Sequence, residues 1–174
     1  MAPSTRYQDL TRSLEEARKR YSDYRSDAVF FAATFARGLT DYLAGPRDLV
    51  AFEPPPGTGE ADGVDVERAI HLDEDTYWHL GLKLRLVGEK ASDAVRIEVR
   101  FKKVESRYLV NLFGHEDFEL TEPTPMALEP VYVELFASIK RHYDDGLRLF
   151  LDQRGQNLHL PFSARRQLEI AGKG

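Results

Sequence analysis

The chain has 174 residues, 42% hydrophobic and 30% charged, with a formal net charge of -5; such a chain buries enough apolar surface to fold as one domain without staples. It contains no cysteine, which excludes disulfide frameworks, thiolate zinc sites and cysteine nucleophiles. No apolar run approaches the roughly 18 residues of a membrane span, and the opening MAPSTRYQDLTRSLEEARKRY lacks the apolar stretch of a secretory signal, so a cytoplasmic protein with no membrane partner is expected.

Apolar or aromatic residues recur at alternating three and four steps at Tyr7, Leu10, Leu14, Ala17, Tyr21, Tyr24, Ala28, Phe31 and Phe35, which is a helical stripe. Thr5 with Gln8 matches a capping box and Gly45-Pro46 a stop, predicting a helix over residues 5–44. At about 1.5 Å per residue it would reach roughly 60 Å, longer than a domain of this size is wide. The overhang demands either a break near 22–27, where Ser and Asp can cap a second start, or a partner chain against the first half; of the two, the break is favoured. The stretch AVFFAATFARGLTDYL is apolar over more of its circumference and belongs in the core.

A strand at 48–52 leads into EPPPGTGEADG, whose prolines and glycines predict an exposed loop. A further strand is expected at 66–72. Trp78, Leu80, Leu82, Leu84 and Leu86 then alternate with His79, Gly81, Lys83 and Arg85, the pattern of a half-buried strand. After a turn at GEKASD the alternation resumes, Val95, Ile97, Val99 and Phe101 against Arg96, Glu98, Arg100 and Lys102, so the two runs read as a hairpin. Strands at 107–113 and 118–120 extend it to a meander. A second long helix is predicted over 130–153, with Pro130 in its first turn and Tyr132, Phe136, Ile139, Tyr143, Leu147 and Phe150 at helical spacing. The tail holds an apolar cluster at Leu158, Leu160 and Phe162, then SARRQLEIAG, one or two helical turns. The expected fold is a single α+β domain over 1–174: a mainly antiparallel sheet of four to six strands flanked by the two long helices.

Charge is unevenly distributed. Between 48 and 78, Asp48, Glu53, Glu60, Asp62, Asp65, Glu67, Asp73, Glu74 and Asp75 oppose Arg68 alone. The following hairpin carries Lys83, Arg85, Arg96, Arg100 and Lys102 on one face, opposite Trp78 and Phe101. Like charges on neighbouring strands destabilise the pair unless answered, either by the acidic segment or a helix of the same chain, or by an acidic protein partner or anionic ligand. Nucleic acid is not expected, since only Tyr77 and Tyr108 lie near that row and stacking platforms need interleaved aromatics.

HLDEDTYWH brings His71, Asp73, Asp75 and His79 close in sequence, donors suited to a divalent metal, although DED also reads as a solvated turn. GHEDFE adds His115, Glu116 and Asp117, which would join His79 in a two-histidine carboxylate site if adjacent strands met. His142 lies one turn from Asp145, and His159 sits between Leu158 and Leu160, both reading as surface positions. GTGEADG carries two acids and no Gly-Lys-Ser/Thr ending, and no Gly-x-Ser-x-Gly elbow exists, so neither a nucleotide loop nor a serine triad is expected, and no cofactor.

Three functions compete. The first is a non-enzymatic, self-associating interaction or adaptor module whose seam is Tyr7, Leu10, Leu14, Tyr21 and Tyr24. The second is a small-molecule-binding domain with an apolar pocket lined by Trp78, Leu80, Leu82, Val99 and Phe101. The third is a metal-dependent hydrolase drawing on His71, Asp73, His79, His115 and Asp117. The first leads because it requires only the helical seam and the segregated charges.

Overall fold

Thr5 opens helix α1 (Arg6–Tyr42) as the sequence predicts: its hydroxyl accepts from the Gln8 backbone, and the Gln8 side chain accepts from the Thr5 N–H in return. A computed structural model of the chain describes residues 5–54, 63–88 and 92–152. Most of GTGEADG, part of the GEKASD turn, the side chains of Leu147 and Phe150, and the tail with His159 lie outside the described residues.

The expected break at 22–27 does not occur, and α1 runs unbroken through it. Ser26 donates to the Ser22 carbonyl at 2.9 Å, so the hydroxyl bonds back within the helix rather than capping a new start. Two ion pairs hold the segment to the body, Arg25 to Glu67 at 3.3 Å and Lys103 to Asp27 at 2.7 Å. The stripe then divides. Ala28, Phe31, Ala32, Phe35, Ala36 and Leu39 are buried, while the half from Arg6 to Asp23 stands in solvent apart from half-buried Thr11.

After α1 come β1 (Val50–Phe52), the single turn α2 (Val66–Ala69), β2 (Ile70–Leu72), β3 (Trp78–Val87), β4 (Ser92–Val104), β5 (Arg107–Leu112), β6 (Phe118–Leu120) and α3 (Pro125–Asp152). The strand expected over 66–72 is thus half helical turn. The second helix begins at Pro125 rather than Pro130, because Thr124 caps it through its hydroxyl to the Ala127 N–H. Pro125 takes the first helical position, where its missing N–H costs nothing, and Pro130 falls inside the helix.

The sheet is antiparallel throughout, in the order β1-β3-β4-β5-β6, with β2 also on β3. β1 pairs with residues 82–84 of β3 and β2 with residues 78–80, so the two short segments lie end to end along one edge. At the junction, Gly81 lets the Glu53 backbone approach; a Cβ there would sit 2.3 Å from the Glu53 carbonyl oxygen. The register aligns Leu80, Val99 and Leu112, and Trp78, Phe101 and Val110, all buried. Phe31 stacks on Phe101 at 4.2 Å and on Tyr108 at 5.1 Å, and Tyr132 of α3 closes on Phe35 at 5.2 Å. The helices therefore cover one face of the sheet. The alternation of the strands sends the polar residues to the opposite face.

Candidate functional site

The hairpin register dictates what meets on that polar face. His71 of β2 pairs with His79 of β3, His79 with Arg100 of β4, and Arg100 with Asn111 of β5, so four polar side chains form a row across four strands. Asp117, just before β6, extends it by accepting from the Asn111 amide at 2.9 Å. The remaining Asn111 bonds run to the His115 carbonyl at 2.5 Å, from the Gly114 N–H at 3.1 Å and from Arg100 at 2.5 Å. Buried Asn111 is thereby saturated, as a buried amide must be.

The turn joining β2 to β3 adds the acids. The Thr76 N–H donates to the Asp73 carbonyl at 3.0 Å and the Asp73 N–H to the Tyr77 carbonyl at 3.1 Å, while Asp75 accepts from the Tyr77 N–H at 2.9 Å. Thr76 has a φ of 70°, a left-handed conformation costly for a β-branched residue. The result aims Asp73 and Asp75 at the histidines. His79 Nε2 lies 3.0 Å from Asp75 Oδ2, and its Nδ1 meets Glu98 on the other side. Arg100 lies 3.7 Å from Asp75. Tyr77 donates to Asp117 at 2.7 Å and lies under the Lys102 ammonium, 4.2 Å from the ring centre.

The electrostatics follow from these contacts. The Glu98 hydrogen bond, opposed by burial and aided by Asp75, raises the His79 pKa above its ordinary value. The same His79 bond, again against burial, lowers that of Glu98. Burial alone would raise Asp75, but the Tyr77 N–H, His79 and Arg100 together outweigh it and hold its carboxyl below the usual range. Burial and the Asp117 carboxylate push the Tyr77 hydroxyl up to about 12. His79 is thus clamped between two carboxylates, Asp75 at Nε2 and Glu98 at Nδ1.

Of the five metal candidates, the structure brings together His71, Asp73 and His79, whose donor atoms all lie within 4.8 Å of one another. Asp117 belongs to the neighbouring Tyr77 and Asn111 network, and only the backbone of His115 takes part. Within the basic row, Arg96 pairs with Glu53 at 3.1 Å, and Arg100 and Lys102 are engaged as above. Lys83 lies opposite Arg96 and Arg85 opposite Ala94. Of the acids of the 48–75 segment, Glu53 and Asp75 reach cations of this row, whereas Glu67 pairs with Arg25 of α1. Trp78, Leu80, Leu82, Val99 and Phe101 line the interface between sheet and helices, with Tyr24 against Trp78 at 5.7 Å and Phe31 against Phe101. On α1, Tyr7, Leu10, Leu14 and Tyr21 are exposed and Tyr24 is half buried.

Sequence reasoning passed over Glu98 as a histidine partner, Tyr77 as a partner of Asp117, and Asn111 altogether. The signal was present: once Val87 opposes Ser92, the hairpin places His79 across from Arg100 and Glu98 diagonal to it. No family model, curated protein or solved structure matches the chain. No helix among the described residues is long and apolar enough to cross a membrane.

Proposed function

We propose that the protein is a self-associating interaction module whose contact element is the projecting first half of α1. The observation that carries this reading is the exposure of a continuous apolar seam: Tyr7 is 78% exposed, Leu10 72%, Leu14 51% and Tyr21 54%, all on the stripe that is buried further along the same helix. Their alternating three and four spacing averages 3.5 residues, the repeat of a coiled-coil seam. About 18 residues of helix, roughly 27 Å, stand off the body, and most helical stability in proteins comes from packing an amphipathic face.

The flanking charges select a second copy in antiparallel orientation. In that arrangement Tyr7 meets the second copy's Tyr24, Leu10 its Tyr21, and Leu14 its Ala17. Arg18 then faces Thr11, Arg20 faces Ser13 and Arg6 faces Asp27, so no like charges oppose. A parallel pair would instead set Arg20 against Arg25.

Sedimentation velocity over micromolar to hundreds of micromolar protein is expected to show a reversible monomer-dimer equilibrium. The double substitution Leu14→Glu, Tyr21→Glu lies wholly on the exposed half and should abolish the dimer while leaving the circular dichroism and thermal unfolding of the body intact. A monomer at every concentration, or a double variant that associates like the native chain, would overturn the reading.

A further inference from the structure

Far from the α1 seam in chemistry and independent of it, the β2–β3 turn gathers donor atoms that have no adequate bond to one another. His71 Nε2 and His79 Nε2 each lie 3.9 Å from Asp73 Oδ2, and the three atoms fall within 4.8 Å of one another. We propose that His71, Asp73 and His79 bind a divalent transition-metal ion of the zinc type, with water completing its coordination on the open face of the sheet.

Four features support the assignment. A separation of 3.9 Å is beyond hydrogen-bond reach, yet it is close to the roughly 3.3–3.6 Å between two ligands that share one zinc at bond lengths of about 2.0–2.2 Å. Closing the difference requires a rotation of Asp73, which is half exposed in its turn, and a closer approach of the two histidine nitrogens, which lie within 4.8 Å of each other. Second, His79 already has the outer partner that ligating histidines require: Glu98 at Nδ1 orients the ring and leaves Nε2 as the donor. Third, His71 Nδ1 is buried without a hydrogen-bond partner, so Nε2 is the atom through which this ring can act. Fourth, Glu98 and Asp75 surround the site with the negative charge a dication needs. The donor set of two imidazoles and one carboxylate favours zinc-like ions over calcium or magnesium, which take oxygen ligands.

Binding exchanges partners in a defined way. The metal takes the lone pair of His79 Nε2 in place of the Asp75 contact, and Asp75 keeps Arg100 as its counter-ion. The two histidines are fixed on paired strands with ring centres 4.9 Å apart, so the site is largely assembled before the ion arrives.

The test is a titration of the chelator-stripped, full-length chain with Zn²⁺ by calorimetry and with Co²⁺ by visible absorption. One equivalent should bind in the micromolar range or tighter, and Co²⁺ should develop the intense bands of a four-coordinate nitrogen and oxygen site. His71→Ala and Asp73→Ala, both at partly exposed positions, should each weaken binding by at least about tenfold, and Glu98→Gln by about 10–100-fold as an outer partner. His115→Ala should bind as the native chain does. Absence of saturable Zn²⁺ binding would overturn the proposal, as would affinity unchanged in both His71→Ala and Asp73→Ala, or lost in His115→Ala. Because those two ligand positions are surface-accessible, the outcome does not depend on whether His79→Ala folds.

Discussion

The two halves of α1 carry one apolar stripe and meet opposite fates. Beyond Asp27 the stripe presents Ala28, Phe31 and Phe35 to the sheet, where all three are buried; before Asp23 it presents Tyr7, Leu10, Leu14 and Tyr21 to solvent. Helical periodicity is the same in both, so amphipathicity identifies a face that seeks cover without saying what provides it. The sheet provides it where the sheet extends. A helix of 37 residues, about 55 Å at its rise per residue, outruns strands of which the longest has 13 residues.

The contrast is most sharply broken by matched truncations. Phe31→Ala removes a ring stacked on Phe35, Phe101 and Tyr108 and should cost about 3–5 kcal/mol in urea unfolding. Leu14→Ala, measured under conditions where the chain is monomeric, should cost less than about 1 kcal/mol. Equal costs would mean that the first half of α1 is covered within the monomer. Next in size is Gly38→Ala, which probes how α1 meets α3. An added Cβ would sit 2.4 Å from the Tyr132 hydroxyl, and that hydroxyl donates to the Phe35 carbonyl. Displacing it should cost about 1–3 kcal/mol, although the same change on an exposed helix surface is stabilising.

The smallest effect is the pH dependence of the cluster of His79, Glu98 and Asp75, measured with chelator present. The His79 pKa is raised in the folded chain, so its contribution is complete below the ordinary histidine value and is lost as pH climbs through the folded value. Glu98 and Asp75 are lowered, so theirs is complete above the ordinary carboxylate value and is lost as pH falls through the folded ones. Thermal stability should therefore have its cluster-dependent plateau between roughly pH 4.5 and 6.5 and decline on both sides. Glu98→Gln should flatten the two limbs, and an unchanged profile in that variant would show that the ion pair contributes nothing to stability.

Much of the architecture was legible because it rests on local rules. The capping box at Thr5, the alternation from Trp78 onward and the pairing of neighbouring strands are properties of a few adjacent residues, and α1, the β3–β4 hairpin and the meander follow from them. Where sequence reading failed, two local signals competed. Ser22 and Ser26 can cap a helix or bond back along one, and the packing of residues 28–39 together with the Lys103–Asp27 pair favours continuation. Thr124-Pro125 and Pro130 both resemble helix starts, and the Thr124 hydroxyl decided for the earlier one.

The candidate site divides along the same line. Periodicity by itself determined that His79, Glu98 and Arg100 leave the apolar face of their strands, and that a long apolar stripe runs the length of α1. Only tertiary structure decided that His71 and Asp73 close on His79, that Glu98 reaches its Nδ1, and that the stripe loses its cover before Asp23. The first kind of information is carried by side-chain direction, which repeats every two or 3.6 residues. The second depends on strand register and on where the sheet ends, quantities set by contacts between segments far apart in the chain.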